Sequence, residues 1–215
     1  MSVLSGHVVV KNVLICLFAD SYVNVRMDCG ALGIEDFIGP GNHGILHPEV
    51  RVFTMSRRVK TDAVSDLRSL RFETIDDVQA EVDRIVAAAG TLRQSGNWTA
   101  GQAFGHLAAW INYSYDGYPF KTPWFIRMIL KLRVKHYLRK GLSAGVRIPG
   151  VAAGTYATED LSIEEGADQL RRALTRLKSD EPARYDSPAF GKLTDEDRIA
   201  LNLRHAELHL GFLHP

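Results

Sequence analysis

The chain has almost no cysteine. Cys16 and Cys29 are the only two in 215 residues, both near the N-terminus. Two thiols exclude a disulfide scaffold and a four-thiolate zinc site, so a reducing, cytoplasmic setting is the expectation. Long apolar runs are missing as well. The best stretch, Val8 to Phe18, is interrupted by Lys11 and Asn12 and falls short of the about eighteen residues that a membrane span needs. It has no basic leader and no clean small-residue cleavage site, so a secretory signal is not expected. An excess of one charge is absent too, with 26 basic and 25 acidic residues giving a net charge of +1. That excludes a surface coated for phosphate, and nucleic acid is not an expected partner. What remains is 46% hydrophobic and 24% charged, the composition of a soluble globular domain with a core.

Residues 1–54 read differently from the rest. Val8–Val10 and Val13–Phe18 are strand-like, and the stretch from Ile38 to Pro48 is rich in Gly, Pro and His. No capped helix and no chemical motif stand out in it. Met55, followed by Ser-Arg-Arg-Val-Lys, looks like a natural chain start. The expectation is a poorly structured extension, explained by a start site placed too far upstream. His43 and His47 are four apart, but Pro48 and the nearby glycines argue against the helix that would make them a metal-binding pair.

From Arg71 onward the punctuation is that of a helical protein, with almost no strand signal. Thr74 with Asp77, Thr99 with Gln102, Ser162 with Glu165 and Thr194 with Asp197 are helix-start signals. Thr122 before Pro123 reads as another cap with proline at the first helical position. Gly90 and Gly141 read as stops. Five helices are expected, over about 75–89, 99–115, 123–139, 163–178 and 195–213. The fold class is all-α: a four-helix bundle over residues 66–215, with an extra helix in the long crossover from Asp116 to Leu161. So long a connection lets the second and third bundle helices run parallel, an up-down-down-up arrangement.

The last helix has polar residues where core belongs. On a wheel of about 100° per residue, Glu196, Asp197, Ala200, Arg204, Glu207 and Gly211 form the expected solvent face. Ile199, Leu203, Ala206, Leu210 and Leu213 make one apolar stripe; Leu201, Leu208 and Phe212 make another. Between the stripes, opposite solvent, lie Arg198, Asn202, His205 and His209. Inward polar groups need partners, at a penalty of about 1–3 kcal/mol each without them. His205 and His209 are one turn apart and project together, so they can share a metal ion. The third ligand then has to come from another helix. His106 is the candidate, with Gln102, Trp110 and Tyr113 within two turns. The alternative is a set of satisfied core histidines that bind nothing.

Several blocks together resemble a known family. They are Arg68-Ser-Leu-Arg-Phe-Glu-Thr-Ile-Asp-Asp-Val78, Gly96-Asn-Trp-Thr-Ala-Gly-Gln-Ala-Phe-Gly-His106-Leu, Tyr118-Pro-Phe-Lys-Thr-Pro-Trp124, Pro188-Ala-Phe-Gly-Lys-Leu-Thr194 and Arg204-His-Ala-Glu-Leu-His-Leu-Gly-Phe-Leu213. From about Asp66 to Leu213 the chain resembles a bacterial domain-of-unknown-function family, number fifteen sixty-nine, within the DinB/YfiT-like superfamily of metalloenzymes. The resemblance implies an up-down-down-up bundle and a divalent metal on three histidines, which carry over to His106, His205 and His209. It also implies chemistry on small molecules, through thiol-dependent transfer or isomerisation with low-molecular-weight thiols as cosubstrates. Ser187 stands where the family often carries His before Pro188, and Leu208 and Leu210 flank His209 where some superfamily members carry a further His.

Three neutral imidazoles leave a coordination position free for water or substrate. Zinc, nickel and iron all suit such a donor set. No cysteine lies in the domain, so a thiol would have to be a cosubstrate. The activity expected is that of a metal-dependent S-transferase or a hydrolase. Gln102, Tyr113 and Asn202 are expected to take the other N–H of the ligating rings, with Trp110 and Arg198 completing the pocket. A rival reading rests on Lys121 to Arg147, which holds eight Lys or Arg and no Asp or Glu. Mixed with Phe125, Ile126, Ile129, Leu130, Leu132, Val134 and Leu138, these make a basic amphipathic helix 123–139. That is a solvated face over a buried stripe, a module that docks on an anionic partner or surface, or a lid whose Arg127, Lys131 and Lys135 attract an anionic substrate. The partners expected are a small molecule and, at most, a second copy in a homodimer, with no integral membrane segment.

Overall fold

The computed structural model describes residues 59–148 and 151–215. The extension expected over residues 1–54, with His43 and His47, lies outside the described residues. A 3-10 turn at Thr61–Ala63 precedes five helices: α1 (Ile75–Ala87), α2 (Ala100–Asp116), α3 (Trp124–Lys140), α4 (Ile163–Lys178) and α5 (Asp195–Leu210). The described part is mostly helical, as the composition and capping signals led us to expect. Two two-residue strands, β1 (Arg93–Gln94) and β2 (Leu213–His214), pair antiparallel.

Four helix starts form as their local signals require. Thr74, Thr99, Ser162 and Thr194 each accept from the backbone N–H three residues on. Asp77, Gln102 and Glu165 reach back to the cap residue, closing full capping boxes at the first three. The start of α3 differs from expectation. Pro123 has ψ of 138°, outside the helical region, so the helix opens at Trp124 and makes no side-chain cap. Thr122 is then one residue too distant to reach the free N–H groups of the first turn.

The end of α5 also differs. The helix stops at Leu210, not about Leu213, because the next residues find partners far away in the chain. Gln94 pairs with Leu213 and Arg93 with His214. Ser95 N–H donates to the Phe212 carbonyl at 3.0 Å, and Arg68 donates to the Leu213 carbonyl at 2.5 Å. Leu213 is thereby buried, and His214 is half-buried beside Ser95 rather than free at the surface.

A third correction concerns the expected solvent face of α5. Arg204 is 3% exposed and the Glu207 side chain 9%. The segment before α1 lies across this face. Phe72 N–H donates to Glu207 Oε1 at 2.6 Å, the Arg204 guanidinium donates to the Phe72 carbonyl, and Arg68 N–H donates to the Gly211 carbonyl at 2.9 Å. Arg204 and Glu207 also pair with each other at 2.8 Å. The face is thus open at Glu196 but meets backbone from Arg204 onward, and the wheel alone could not distinguish the two.

The core joins α1, α2, α4 and α5, with Val82, Phe104, Leu170 and Leu210 among its fully buried side chains. Two glycines bring α2 and α4 together. A Cβ on Gly166 would stand 2.9 Å from the Gly101 Cα, too close for any side chain there. At the other end of the same pair, Arg176 of α4 meets Asp116 of α2 at 2.8 Å. Lys178 of α4 meets Asp76 of α1 at 2.7 Å. Arg198 of α5 donates to the Tyr115 hydroxyl of α2 at 2.5 Å. Helix α3 packs on α5. No described helix is long and apolar enough to cross a membrane.

Candidate metal centre

Three side chains meet between α2 and α5. His106 sits mid-way along α2, on the face buried by Ala103 and Leu107. His205 and His209 stand one turn apart on α5 and point to the same place. His205 Nε2 lies 3.2 Å from His106 Nε2 and 3.0 Å from His209 Nε2. The three ligand atoms all fall within 4.8 Å of one another, and the group is able to hold a metal ion. Nitrogens about 2.0–2.1 Å from a common ion in tetrahedral geometry stand about 3.3–3.4 Å apart, close to these two separations of 3.2 and 3.0 Å.

The rings are held from several sides. The His106 Nδ1 donates to the Tyr156 carbonyl at 2.9 Å. That bond fixes the tautomer and leaves the Nε2 lone pair facing the other two rings. Tyr156 belongs to the crossover and stacks on Phe120 at 5.1 Å. Ala157, next to it, has φ of 56°, the left-handed region that non-glycine residues seldom adopt. Trp98 stacks on His209 at 4.9 Å with the rings 10° from parallel, and lies 4.8 Å from His106. Trp110 stands edge-on to His205 at 5.6 Å.

Burial sets the protonation. His106 is 2% exposed, and its pKa is lowered to about 4, against the pull of the Tyr156 and Ala157 backbone. Burial also holds His205 and His209 well below the usual histidine value, and the neighbouring imidazoles add to the effect. All three are therefore neutral near pH 7, the form that ligates metal. Neutral rings alone leave this arrangement poorly satisfied. With the His106 proton on Nδ1, a single proton on His205 Nε2 would have to be shared between two acceptors.

The other expected pocket residues are spread more widely. Gln102 spends its side chain on capping α2 and on the Thr158 carbonyl, at 3.0 and 3.4 Å. Asn202 donates to the Arg198 carbonyl of its own helix at 2.9 Å. Arg198 is committed to Tyr115 and Asp195. Tyr113 packs 6.1 Å from Trp110 and 5.7 Å from Tyr118, and burial raises its pKa. Burial pushes the Tyr118 hydroxyl up to about 12. Of the aromatic residues expected beside the ligands, Trp110 lies against the His106 and His205 rings, and among the described residues its buried Nε1 has no partner.

Sequence reasoning missed Trp98, Phe120 and the Tyr156 carbonyl. Trp98 and Phe120 lie inside two of the blocks that carried the resemblance, but a backbone carbonyl leaves no residue-type signal. Lys135 is taken up by Asp197 at 2.9 Å. Arg127 and Lys131 are exposed, their stems against Gly191. A separate groove of about 500 Å³ opens between α2 and α4, lined by Asn112, Asp116, Gln169 and Arg176 among others. None of the three histidines lines it, and Arg176 is already spent on Asp116 and Glu181.

A family model described as "Protein of unknown function (DUF1569)" matches residues 64–215. The chain belongs to the DUF1569 family. No curated protein and no solved structure matches it. The DUF1569 match begins before α1, at the segment that covers α5, and includes all three histidines.

Proposed function

We propose that this DUF1569 domain is a metal-dependent enzyme of the DinB/YfiT-like superfamily, with His106, His205 and His209 as its three ligands. The observation that carries the reading is the convergence of three neutral Nε2 atoms, one on a buried and two on half-buried rings, that lack enough protons to satisfy one another. The end contacts between helices support the matching fold: α2 and α4 run side by side in one direction, while α1 opposes α4 and α5 opposes α2. That is an up-down-down-up bundle with α3 in its crossover.

The chain's own residues do the positioning. Tyr156 orients His106 through its carbonyl, Trp98 fixes the His209 ring, and Trp110, itself packed on Phe120, stands edge-on to His205. With no carboxylate in the group, a divalent ion on three neutral imidazoles keeps its full charge and lowers the pKa of a thiol or water that reaches it. The domain has no cysteine of its own, so the thiol-transfer form of the reaction takes its nucleophile from a small-molecule cosubstrate. Hydrolysis is the second form, with water in that place. Zinc, nickel or iron fits the donors equally.

Cobalt(II) titration of chelator-treated protein tests the reading. We expect saturable visible absorption bands of a nitrogen-ligated site at one ion per chain, lost in His205→Ala with the helical content unchanged. No bands in the wild type would refute it.

A further inference from the structure

Helix α3 shows its apolar residues on the wrong side. Its inner face is secured to the domain. Val134 is buried, Ile126, Leu130, Tyr137 and Leu138 are half-buried, and Tyr137 meets Phe190 at 5.7 Å. On the outer face, Trp124, Phe125, Met128, Ile129 and Leu132 share one arc at helical spacing. All five are exposed, Trp124 by 69% and Leu132 by 82%. Lys131 borders this arc on one side and Arg133 on the other, both exposed. Lys121 precedes the helix, and Arg139 and Lys140 end it.

Exposed apolar residues scattered singly are ordinary, but a contiguous patch framed by cations marks a docking face. Charge chooses among the occupants. The stretch from Lys121 to Arg147 carries eight basic residues and no acidic one, so a second copy docked face to face would set like charges together. A nucleic acid would be gripped by cations at the centre of the face; here the first two turns are apolar at their centre, with cations beside them and on the following turns, where Lys135 is paired with Asp197. An anionic lipid surface matches both features. Trp, Phe and Leu side chains enter the headgroup boundary while long basic stems reach the phosphates around them.

We infer that the outer face of α3 docks on an anionic phospholipid surface, with Trp124, Phe125, Met128 and Leu132 entering the headgroup layer and Lys131 and Arg133 contacting phosphate. The surface does not depend on the histidine centre.

Co-sedimentation of the full chain with vesicles tests it. Mixed phosphatidylcholine–phosphatidylglycerol vesicles should bind the chain at least about tenfold more tightly than pure phosphatidylcholine, with binding weakened by salt. Leu132→Asp should abolish binding to the mixed vesicles, and the double change Lys131→Glu, Arg133→Glu should weaken it at least about tenfold. Both positions lie outside the core, and circular dichroism and thermal melting check that the fold is kept. If Leu132→Asp unfolds the chain, Trp124→Ser carries the same expectation. His209→Ala should bind vesicles as the wild type does, so failure of the metal reading leaves this one standing. Three results would overturn it: no binding to the mixed vesicles, equal binding by the apolar-face variant, or a soluble dimer that Leu132→Asp dissolves in place of lipid binding.

Discussion

The histidine centre between α2 and α5 and the outer face of α3 depart from ordinary sorting of side chains in opposite ways. At the centre, three imidazoles, one buried and two half-buried, gather between α2 and α5 against Trp98 and Trp110. On α3, five large apolar side chains lie on the outside. The centre is supplied with a partner on one side, where Tyr156 binds His106, and is short of a proton where the three Nε2 atoms face each other. Among the described residues, the α3 helix is covered by the domain on its inner side and leaves five large apolar side chains exposed on its outer side. The difference teaches that one criterion, an arrangement the fold itself leaves incomplete, leads to both proposals, on very different scales.

The comparison can be broken by mutation, and the largest effect belongs to the core that both regions rest on. Phe104→Ala empties a fully buried site on α2, two residues before His106, and should lower stability by about 3–5 kcal/mol in chemical denaturation. A loss under about 1 kcal/mol would mean that α2 is not packed as described. Glu207→Ala comes next. It leaves Arg204 buried without its ion-pair partner and the Phe72 N–H without an acceptor, which should cost about 3 kcal/mol. A neutral result would return this face of α5 to solvent.

Acid sharpens the contrast, because only one of the two regions holds buried titratable groups. The folded His106 pKa of about 4 lies below the ordinary value of 6.5, and His205 and His209 are lowered as well. As pH falls below about 6.5, the unfolded chain takes up protons that the folded chain does not, so stability should fall between about pH 6.5 and 4. Burial raises the Glu207 pKa, which acts in the opposite direction over the carboxylate range. His106→Gln should flatten the histidine part of the slope in melts of chelator-treated protein; an unchanged slope would place the titration elsewhere. Smallest of all, Leu132→Ala should change stability by no more than about 0.5 kcal/mol, since the side chain is 82% exposed. A loss of several times that would show that α3 already has a partner within the fold.

How much of this was legible from residues alone divides along the range of the forces involved. Helix starts at Thr74, Thr99, Ser162 and Thr194 were legible because a cap is settled within four residues. The meeting of His106 with His205 and His209 was legible because inward polar residues on two amphipathic helices have few places to go. The end of α5 was not, since the contacts that stop it join Gln94 to Leu213 across most of the domain. Nor was the cover over Arg204 and Glu207, where the partner is backbone from Phe72. Gln102 shows two signals in competition: it was expected both to cap α2 and to serve a histidine, and the cap, being local, takes the side chain. The open face of α3 was hidden because helical spacing reveals an apolar stripe without saying what covers it.

The account turns on the three histidines acting as one donor set. Metal content of the purified protein, measured against His209→Ala under the same preparation, tests this most directly. The wild type should carry about one divalent ion per chain and the variant almost none, with both equally helical. Negligible metal in both, together with no gain in melting temperature when zinc, nickel or iron is added to the wild type, would contradict it.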